Sequence, residues 1–130
     1  MSEQVVAAII RKDNKFLMGK RSLNKKTGAG YWSPICGRIE IGETESAAIE
    51  REVFEEVGLK VKARIKVAAF DTRDKSALIN WWTVDIIEGE PFLKNDEHSE
   101  IRWLSIEEMA NLDHVFNEDI ELFRRLDHET

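Results

Sequence analysis

The sequence predicts an α/β domain in which a mixed β-sheet carries helices on both of its faces. Three observations lead to this prediction: apolar segments with the period of strands open the chain, an amphipathic helix lies near its middle, and further strands and helices follow. Strands and helices that alternate in this way bury their apolar faces against each other in layers. The 130 residues are enough for one core, so residues 1–130 are expected to form a single domain.

A β-hairpin is predicted at the start of the chain. Residues 5–10 form a short apolar run rich in β-branched side chains, which is typical of a buried strand. Asp13 and Asn14 are turn-forming residues, and residues 16–20 are the returning strand. Residues 22–30 contain two glycines and several polar side chains, and predict a loop.

Three more strands are predicted in the second half of the chain. Residues 60–71 alternate charged and apolar side chains, which is typical of a half-exposed strand. Residues 77–87 are apolar on both faces, with Trp81 and Trp82 on opposite sides, and predict a central strand. An acidic loop is expected at residues 95–100, before a short strand at residues 101–104.

Two helices are predicted after the last strand. Ser105 and Glu108 have the spacing of a capping box, in which each side chain bonds to the backbone of the other residue. A final helix begins at Asn117. Its apolar face consists of Ile120, Phe123 and Leu126.

The helix in the middle of the chain is predicted to span residues 44–58. Thr44 is a favourable N-cap residue, and Gly58 is a favourable residue for the left-handed conformation that ends many helices. At about 100° per residue, one side of this helix is apolar and is predicted to face the core. The residues on that side are Ala47, Val53, Phe54 and Val57.

The other side of this helix carries three carboxylates. Glu52, Glu55 and Glu56 lie within about 100° of each other around the helix axis. Like charges at this spacing destabilise a helix unless protonation, cations or water relieve the repulsion. A divalent cation would relieve it, and oxygen ligands favour Mg²⁺, Mn²⁺ or Ca²⁺ over zinc. The alternative is an acidic helix face in contact with solvent only.

Residues 37–59 resemble the Nudix box, the signature of the Nudix (MutT-like) hydrolase family. The glycines, acids and arginine of that pattern occur here at the same spacing, with aliphatic residues between them. The positions that carry the resemblance are Gly37, Glu43, Arg51, Glu52, Val53, Glu55, Glu56, Val57, Gly58 and Leu59. The approach to the box departs from the common Pro-Gly-Gly pattern, because Cys36 occupies a frequent glycine position and Pro34 is displaced by one residue.

The resemblance implies the Nudix α/β/α sandwich and hydrolysis of a nucleoside diphosphate linked to a group X. Nucleoside triphosphates, cleaved to a monophosphate and pyrophosphate, are the expected substrates. ADP-ribose or other NDP-sugars and dinucleoside polyphosphates are alternatives. A non-catalytic nucleotide-binding module is a further alternative, but such a module is expected to have lost the carboxylates of the box, and all three are present.

The resemblance also implies roles for the residues of the box. Glu52 and Glu56 are the expected direct ligands of Mg²⁺, with Mn²⁺ as an alternative ion. Glu55 is a third ligand or holds a water on the metal, and Glu52 is alternatively the general base. Arg51 is expected to hold the carboxylates in place by charge-assisted hydrogen bonds, and Glu43 to anchor the preceding loop.

Two more candidates for the metal site lie outside this helix. Gly37 is expected to contribute its backbone, since a glycine allows close approach. Glu97 or Glu100 could supply a further metal ligand or the general base. Cys36 is a poor candidate for a nucleophile, because its acidic surroundings should raise the pKa of its thiol.

Candidates for contact with the substrate are basic or aromatic. Lys20, Arg21, Lys25 and Lys26 form a basic cluster in or near the predicted loop, and one of them could bind phosphate; the alternative is that all are solvated. Arg38 is a further candidate. Trp32 is either a core residue or a wall for the base. The same two roles are open for Trp81 and Trp82, since a stacked base contributes about 1–3 kcal/mol.

Composition excludes several other classes of protein. The formal net charge of −6 argues against binding to a nucleic-acid polymer. A single cysteine excludes an internal disulfide and a multi-cysteine metal site. The apolar run near the first residue is too short for a membrane span, and it lacks the pattern of a signal peptide. A cytoplasmic protein without a membrane partner is therefore expected, and a homodimer is left open.

Overall fold

In the computed structural model, which describes residues 3–25 and 28–128, the described part of the chain forms seven strands and three helices. The strands are β1 Glu3–Lys12, β2 Lys15–Arg21, β3 Trp32–Ser33, β4 Ile35–Arg38, β5 Lys60–Asp71, β6 Ala77–Glu88 and β7 His98–Leu104. The helices are α1 Glu45–Val57, α2 Ile106–Ala110 and α3 Asn117–His128. Lys26, which was assigned to the basic cluster, lies outside the described residues.

The strands form one mixed sheet, as the sequence predicted. The two strands β1 and β6 run parallel at its centre, and β5 pairs antiparallel with β6 on one side. Strand β1 also pairs antiparallel with β2 and with β4, and β2 pairs with β3 and β7. In the β1–β2 hairpin, Asp13 and Asn14 both have positive φ values of 52° and 64°, which is the geometry of a type I′ turn.

Each face of the sheet is covered by helix, which gives two separate apolar clusters. The cluster under α1 is built around Val6, Ala8, Ile10, Leu17, Ile35, Ala48, Ile49, Val53, Val57, Leu59, Val61 and Val84. The cluster under α2 and α3 is built around Ala7, Ile9, Phe16, Met18, Trp32, Trp81, Leu104, Met109, Ile120, Leu122, Phe123 and Leu126. The predicted layered α/β/α architecture is therefore confirmed.

The predicted core face of α1 is confirmed in part, since Val53 and Val57 are buried. Ala47 and Phe54 are exposed, and the Phe54 ring packs under the ammonium group of Lys94, 4.1 Å from its centroid. The buried residues are Ala48, Ile49, Val53, Glu56 and Val57. The side of α1 that faces the core is therefore displaced by part of a turn from the predicted one, and it includes the carboxyl group of Glu56.

The other differences concern the strands that flank the box. Strand β7 begins at His98, so residues 98–100 are not part of the predicted acidic loop. The sequence did not predict β3 or β4, which are two and four residues long. The capping box of Ser105 and Glu108 is confirmed, with both of its hydrogen bonds present, and α3 begins at Asn117 as predicted.

Within the described residues, none of the helices combines the length and the apolar character that a membrane crossing would require.

The altered orientation of α1 gives a test of the packing. Ile49 is 1% exposed, so Ile49→Ala should lower the free energy of unfolding by about 2–5 kcal/mol, since it leaves a cavity. Phe54→Ala should cost about 1 kcal/mol or less, because its exposed ring loses chiefly the contact with Lys94. Urea unfolding of both variants measures the difference. A larger effect for Phe54→Ala would contradict this orientation of the helix.

Candidate functional site

The ends of α1 fix the position of the acidic helix. Thr44 is the N-cap, and its hydroxyl accepts a hydrogen bond of 3.1 Å from the Ala47 amide. Gly58 ends the helix with φ 74°, and a Cβ at this position would overlap the ring of Phe92. Both the left-handed backbone and the close ring therefore require glycine here.

Arg51 connects most of the acidic groups of the box. Its Nε and Nη2 atoms donate to the two carboxylate oxygens of Glu43 at 2.7 and 2.9 Å. Its Nη1 atom donates to Glu52 at 2.7 Å and to Glu55 at 3.1 Å, and Nη2 also donates to the Arg38 carbonyl at 2.9 Å. These hydrogen bonds lower the pKa of Glu43 to about 2, with the bond from Arg51 as the main cause. One guanidinium thus joins the loop, the helix and β4.

Glu52 packs directly on the backbone of β4. A Cβ at Gly37 would overlap the Glu52 carboxylate, so only a glycine leaves room for this side chain. The Glu52 side chain is 16% exposed, whereas that of Glu55 is 54% exposed. The three carboxylates therefore differ in their access to solvent, although their spacing on the helix is regular.

Glu56 is the most buried of the three, with a side chain that is 6% exposed. Its Oε2 atom has no hydrogen-bond partner, and its Oε1 atom lies 3.8 Å from Nδ1 of His98. Burial raises the pKa of Glu56 to about 9, and the neighbouring carboxylates of Glu52 and Glu97 add to the rise. Burial and the cation of Arg21 lower the pKa of His98 to about 4. At neutral pH, His98 therefore supplies no positive charge to Glu56.

Several predicted residues surround Glu56. Glu97 forms an ion pair with Lys25, and both affect the pKa of Glu56 electrostatically. The cation of Arg21 lowers the pKa of His98 and that of Cys36 electrostatically. Burial raises the pKa of the Cys36 thiol to about 12, and Glu56 adds to this, so the expected direction of the shift is confirmed.

Other predicted candidates lie elsewhere. The Arg38 side chain is 78% exposed and pairs with Glu3, and Glu100 pairs with Arg102. Trp32 is 6% exposed and belongs to the cluster under α3, so it is a core residue.

The two tryptophans of β6 occupy opposite faces of the sheet, as predicted. Trp81 is buried in the cluster under α3. Trp82 packs beneath α1 and donates its indole N–H to Glu45 at 2.9 Å. Glu45 and Glu56 are eleven residues apart in α1, which is about 16 Å along the helix axis. Trp82 is therefore anchored at the opposite end of α1 from Glu56.

His98 and Gly19 were missed by sequence reasoning. A Cβ at Gly19 would overlap the His98 ring, so the bare backbone of β2 provides the space for this side chain. A glycine inside an apolar strand often marks a close approach, and Gly19 in the middle of β2 was such a signal.

The donor set fits a hard divalent cation. Carboxylate oxygens of Glu52 lie beside the Gly37 backbone, and the partnerless Oε2 atom of Glu56, one helical turn further along α1, is a buried acceptor that a cation would satisfy. Over residues 3–25 and 28–128, no three His, Cys, Asp or Glu side chains already form a group that could hold a metal ion. Glu52 and Glu55 are instead turned toward Arg51.

The chain is similar to known proteins over most of its length. The family model of the NUDIX domain matches residues 1–126. An NAD-capped RNA hydrolase (NudC) of Actinobacillus succinogenes is 31% identical over 100 residues, a match that covers 75% of this chain but 38% of the relative. The chain therefore spans well under half the length of that protein.

Two relatives from Escherichia coli are closer to this chain in length. A CTP pyrophosphohydrolase is 30% identical over 105 residues, covering 81% of this chain and 77% of the relative. An 8-oxo-dGTP diphosphatase is also 30% identical over 105 residues, covering 79% and 80%. Among solved structures, a MutT protein from Methanosarcina mazei superposes with a TM-score of 0.83 at 25% identity, covering 98% of this chain and 94% of that one.

The burial of Glu56 predicts how stability depends on pH in the absence of metal. The pKa of Glu56 rises from the ordinary 4.5 to about 9 on folding. Its contribution to the free energy of unfolding is therefore fully present below pH 4.5 and is lost as the pH rises toward 9. Glu56→Gln should therefore raise the free energy of unfolding at pH 8 by about 1 kcal/mol or more. Urea unfolding in EDTA from pH 4 to 9 measures this. Glu55→Gln, at an exposed position, is the control, and equal pH profiles for wild type and Glu56→Gln would contradict the prediction.

Proposed function

Because the chain belongs to the NUDIX family, we propose that it is a divalent-metal-dependent hydrolase of a nucleoside diphosphate linked to a group X, with nucleoside triphosphates as its substrates. The products would be a nucleoside monophosphate and pyrophosphate. Family membership and the pyrophosphohydrolases among the relatives support a hydrolase acting on phosphoric anhydride bonds.

One observation carries the proposal: Glu56, a buried carboxyl with a partnerless oxygen, lies one helical turn from Glu52, whose carboxylate packs on the Gly37 backbone of β4. A carboxyl in such a place destabilises the folded protein unless it binds something. Acidic residues that serve only solubility are exposed. The burial of Glu56 is therefore better explained by a ligand than by a solvated helix face.

Glu52 and Glu56 would hold the cation, which is Mg²⁺ or Mn²⁺ by the chemistry of the oxygen donors. Glu55 and the backbone of Gly37 complete the proposed set. When bound, the cation supplies neutralisation of the charge on the diphosphate and a lowered pKa for water. Arg51 keeps Glu52 and Glu55 oriented, and its bidentate bond to Glu43 keeps the preceding loop against the helix.

Glu97 is the better of the two candidates outside α1 for a general base or a further ligand. Both carboxylates are ion-paired, Glu97 with Lys25 and Glu100 with Arg102, but the carboxylate of Glu97 lies close enough to Glu56 to raise the pKa of that residue. Lys25 and Arg21 are the basic residues nearest this group, and we assign phosphate binding to them. Glu52 stays an alternative for the base.

The choice of nucleoside triphosphates rests on the relatives of similar length. Those relatives carry the names CTP pyrophosphohydrolase and 8-oxo-dGTP diphosphatase. The NAD-capped RNA hydrolase is a much longer protein, and the net charge of −6 does not favour an RNA polymer as substrate. ADP-ribose, NDP-sugars and dinucleoside polyphosphates are the alternatives within the same chemistry.

A panel of nucleotides with identification of the products tests the proposal. It includes ribo- and deoxyribonucleoside triphosphates, ADP-ribose, NDP-sugars, dinucleoside polyphosphates and an NAD-capped oligonucleotide, each with Mg²⁺ and with EDTA. A monophosphate plus pyrophosphate, formed only with Mg²⁺, is the expected result. Preferred cleavage of ADP-ribose or an NDP-sugar to two monophosphates would overturn the substrate class. No turnover on any member would overturn the hydrolase in favour of a binding module.

Glu56→Gln tests the assignment of the cation site by activity. Loss of one negative ligand should reduce kcat/KM at saturating Mg²⁺ by at least about 100-fold, while the fold is kept because the side chains are nearly isosteric. Glu121→Gln, which removes an exposed acid from α3, is the matched control and should retain wild-type activity. Activity near wild type in Glu56→Gln would show that Glu56 is not a ligand.

A further inference from the structure

His98 and Glu56 face each other in the interior without completing a hydrogen bond. Among the described residues, four buried side-chain polar atoms have no partner, and two of these are Nδ1 of His98 and Oε2 of Glu56. Nδ1 lies 3.8 Å from Oε1 of Glu56, which is beyond hydrogen-bonding range. Because both side chains are almost fully buried, water cannot readily replace the missing partner.

The protein provides a dedicated space for the His98 ring. Gly19 lies under the ring, and any larger residue there would displace it. Strand β7 also carries an irregularity at this point, since Lys20 pairs with Glu100 but Arg21 pairs with His98, which leaves Ser99 as the extra residue. A bulge of this kind changes the direction of a side chain relative to a regular strand. Both features direct the imidazole toward α1.

We propose that His98 is a positioning residue for Glu56, and that its Nδ1–H donates a hydrogen bond that holds the Glu56 carboxylate in the orientation that binds the divalent cation. This inference rests on the proposed function, because it takes Glu56 to be a ligand. One oxygen of a carboxylate ligand can bind the cation while the other accepts a hydrogen bond from a nearby donor. Such donors affect both the affinity for the metal and the orientation of the ligand.

The two groups are close to hydrogen-bonding geometry, since Nδ1 of His98 and Oε1 of Glu56 are 3.8 Å apart. A movement of less than about 1 Å would bring the two groups within bonding distance. His98 touches Glu56 and not the substrate, so its effect on turnover is indirect.

Two variants of similar shape separate the hydrogen bond from simple packing. The side-chain amide nitrogen of asparagine can occupy the place of Nδ1, whereas leucine has the same number of side-chain heavy atoms and the same branching as asparagine but no donor. His98→Leu should weaken Mn²⁺ binding to the free protein by about 10–100-fold, and His98→Asn should stay close to wild type. Isothermal titration with Mn²⁺ measures the affinity, and thermal unfolding in EDTA shows that each variant is folded.

Wild-type affinity in His98→Leu would overturn the proposal, as would an equal loss in both variants, because packing alone would then explain the histidine. Glu56→Gln, titrated in parallel, separates this failure from that of the proposed function. If Glu56→Gln weakens Mn²⁺ binding and His98→Leu does not, only the role of His98 is wrong. If Glu56→Gln binds Mn²⁺ normally, the ligand assignment fails and the role of His98 fails with it.

If His98→Leu does not fold, the wild-type protein decides the question. With ¹⁵N-labelled histidine and Mg²⁺ bound, Nδ1 of His98 should carry a proton that exchanges slowly with solvent. An unprotonated Nδ1 in the Mg²⁺-bound protein would overturn the proposal.

Discussion

The placement of acidic side chains on the inner side of α1 is the constraint on which this structure depends. A helix that turns Glu52 and Glu56 toward a sheet needs a cation, a proton or a compensating donor for each of them. Arg51 meets this need for Glu52 and Glu55, and it does so by connecting them to Glu43 and to β4. Glu56 is left without such a partner. Glu52 belongs to a structural ion-pair network, whereas Glu56, which lacks a partner for one oxygen, is placed to bind a ligand.

Three glycines near α1 leave space for large side chains, because a glycine has no side chain of its own. Gly37 leaves room for the Glu52 carboxylate, Gly19 leaves room for the His98 ring, and Gly58 both ends α1 and accepts the ring of Phe92. In each case the neighbour is a large side chain from another element. The backbone of the site is therefore shaped to fit specific partners, and these positions tolerate substitution poorly.

Features that depend on local sequence could be predicted. The type I′ turn at Asp13 and Asn14, the N-cap at Thr44 and the capping box at Ser105 each follow from the chemistry of a few adjacent residues. The resemblance to the Nudix box predicted the family and the layered fold for the same reason, since its fixed positions lie within one short segment.

Features that depend on distant contacts could not be predicted. The rotation of α1 that exposes Phe54 and buries Glu56 is decided by the strands under the helix and by His98, which is more than forty positions further along the chain. The periodicity of the sequence shows that α1 has an apolar face and an acidic face. It does not show that part of the acidic face is buried, because buried and exposed acidic residues have the same spacing in the sequence. The direction of the His98 side chain depends on an irregularity in β7 that no residue pattern announced.

The environment of Cys36 has a practical consequence. Its thiol lies beside the same acids, and a pKa of about 12 leaves only about one molecule in 100,000 as thiolate at pH 7. Alkylating reagents and peroxide attack the thiolate, so the chain's single cysteine should resist both. A thiol-reactive dye should therefore react with an engineered surface cysteine much faster than with Cys36.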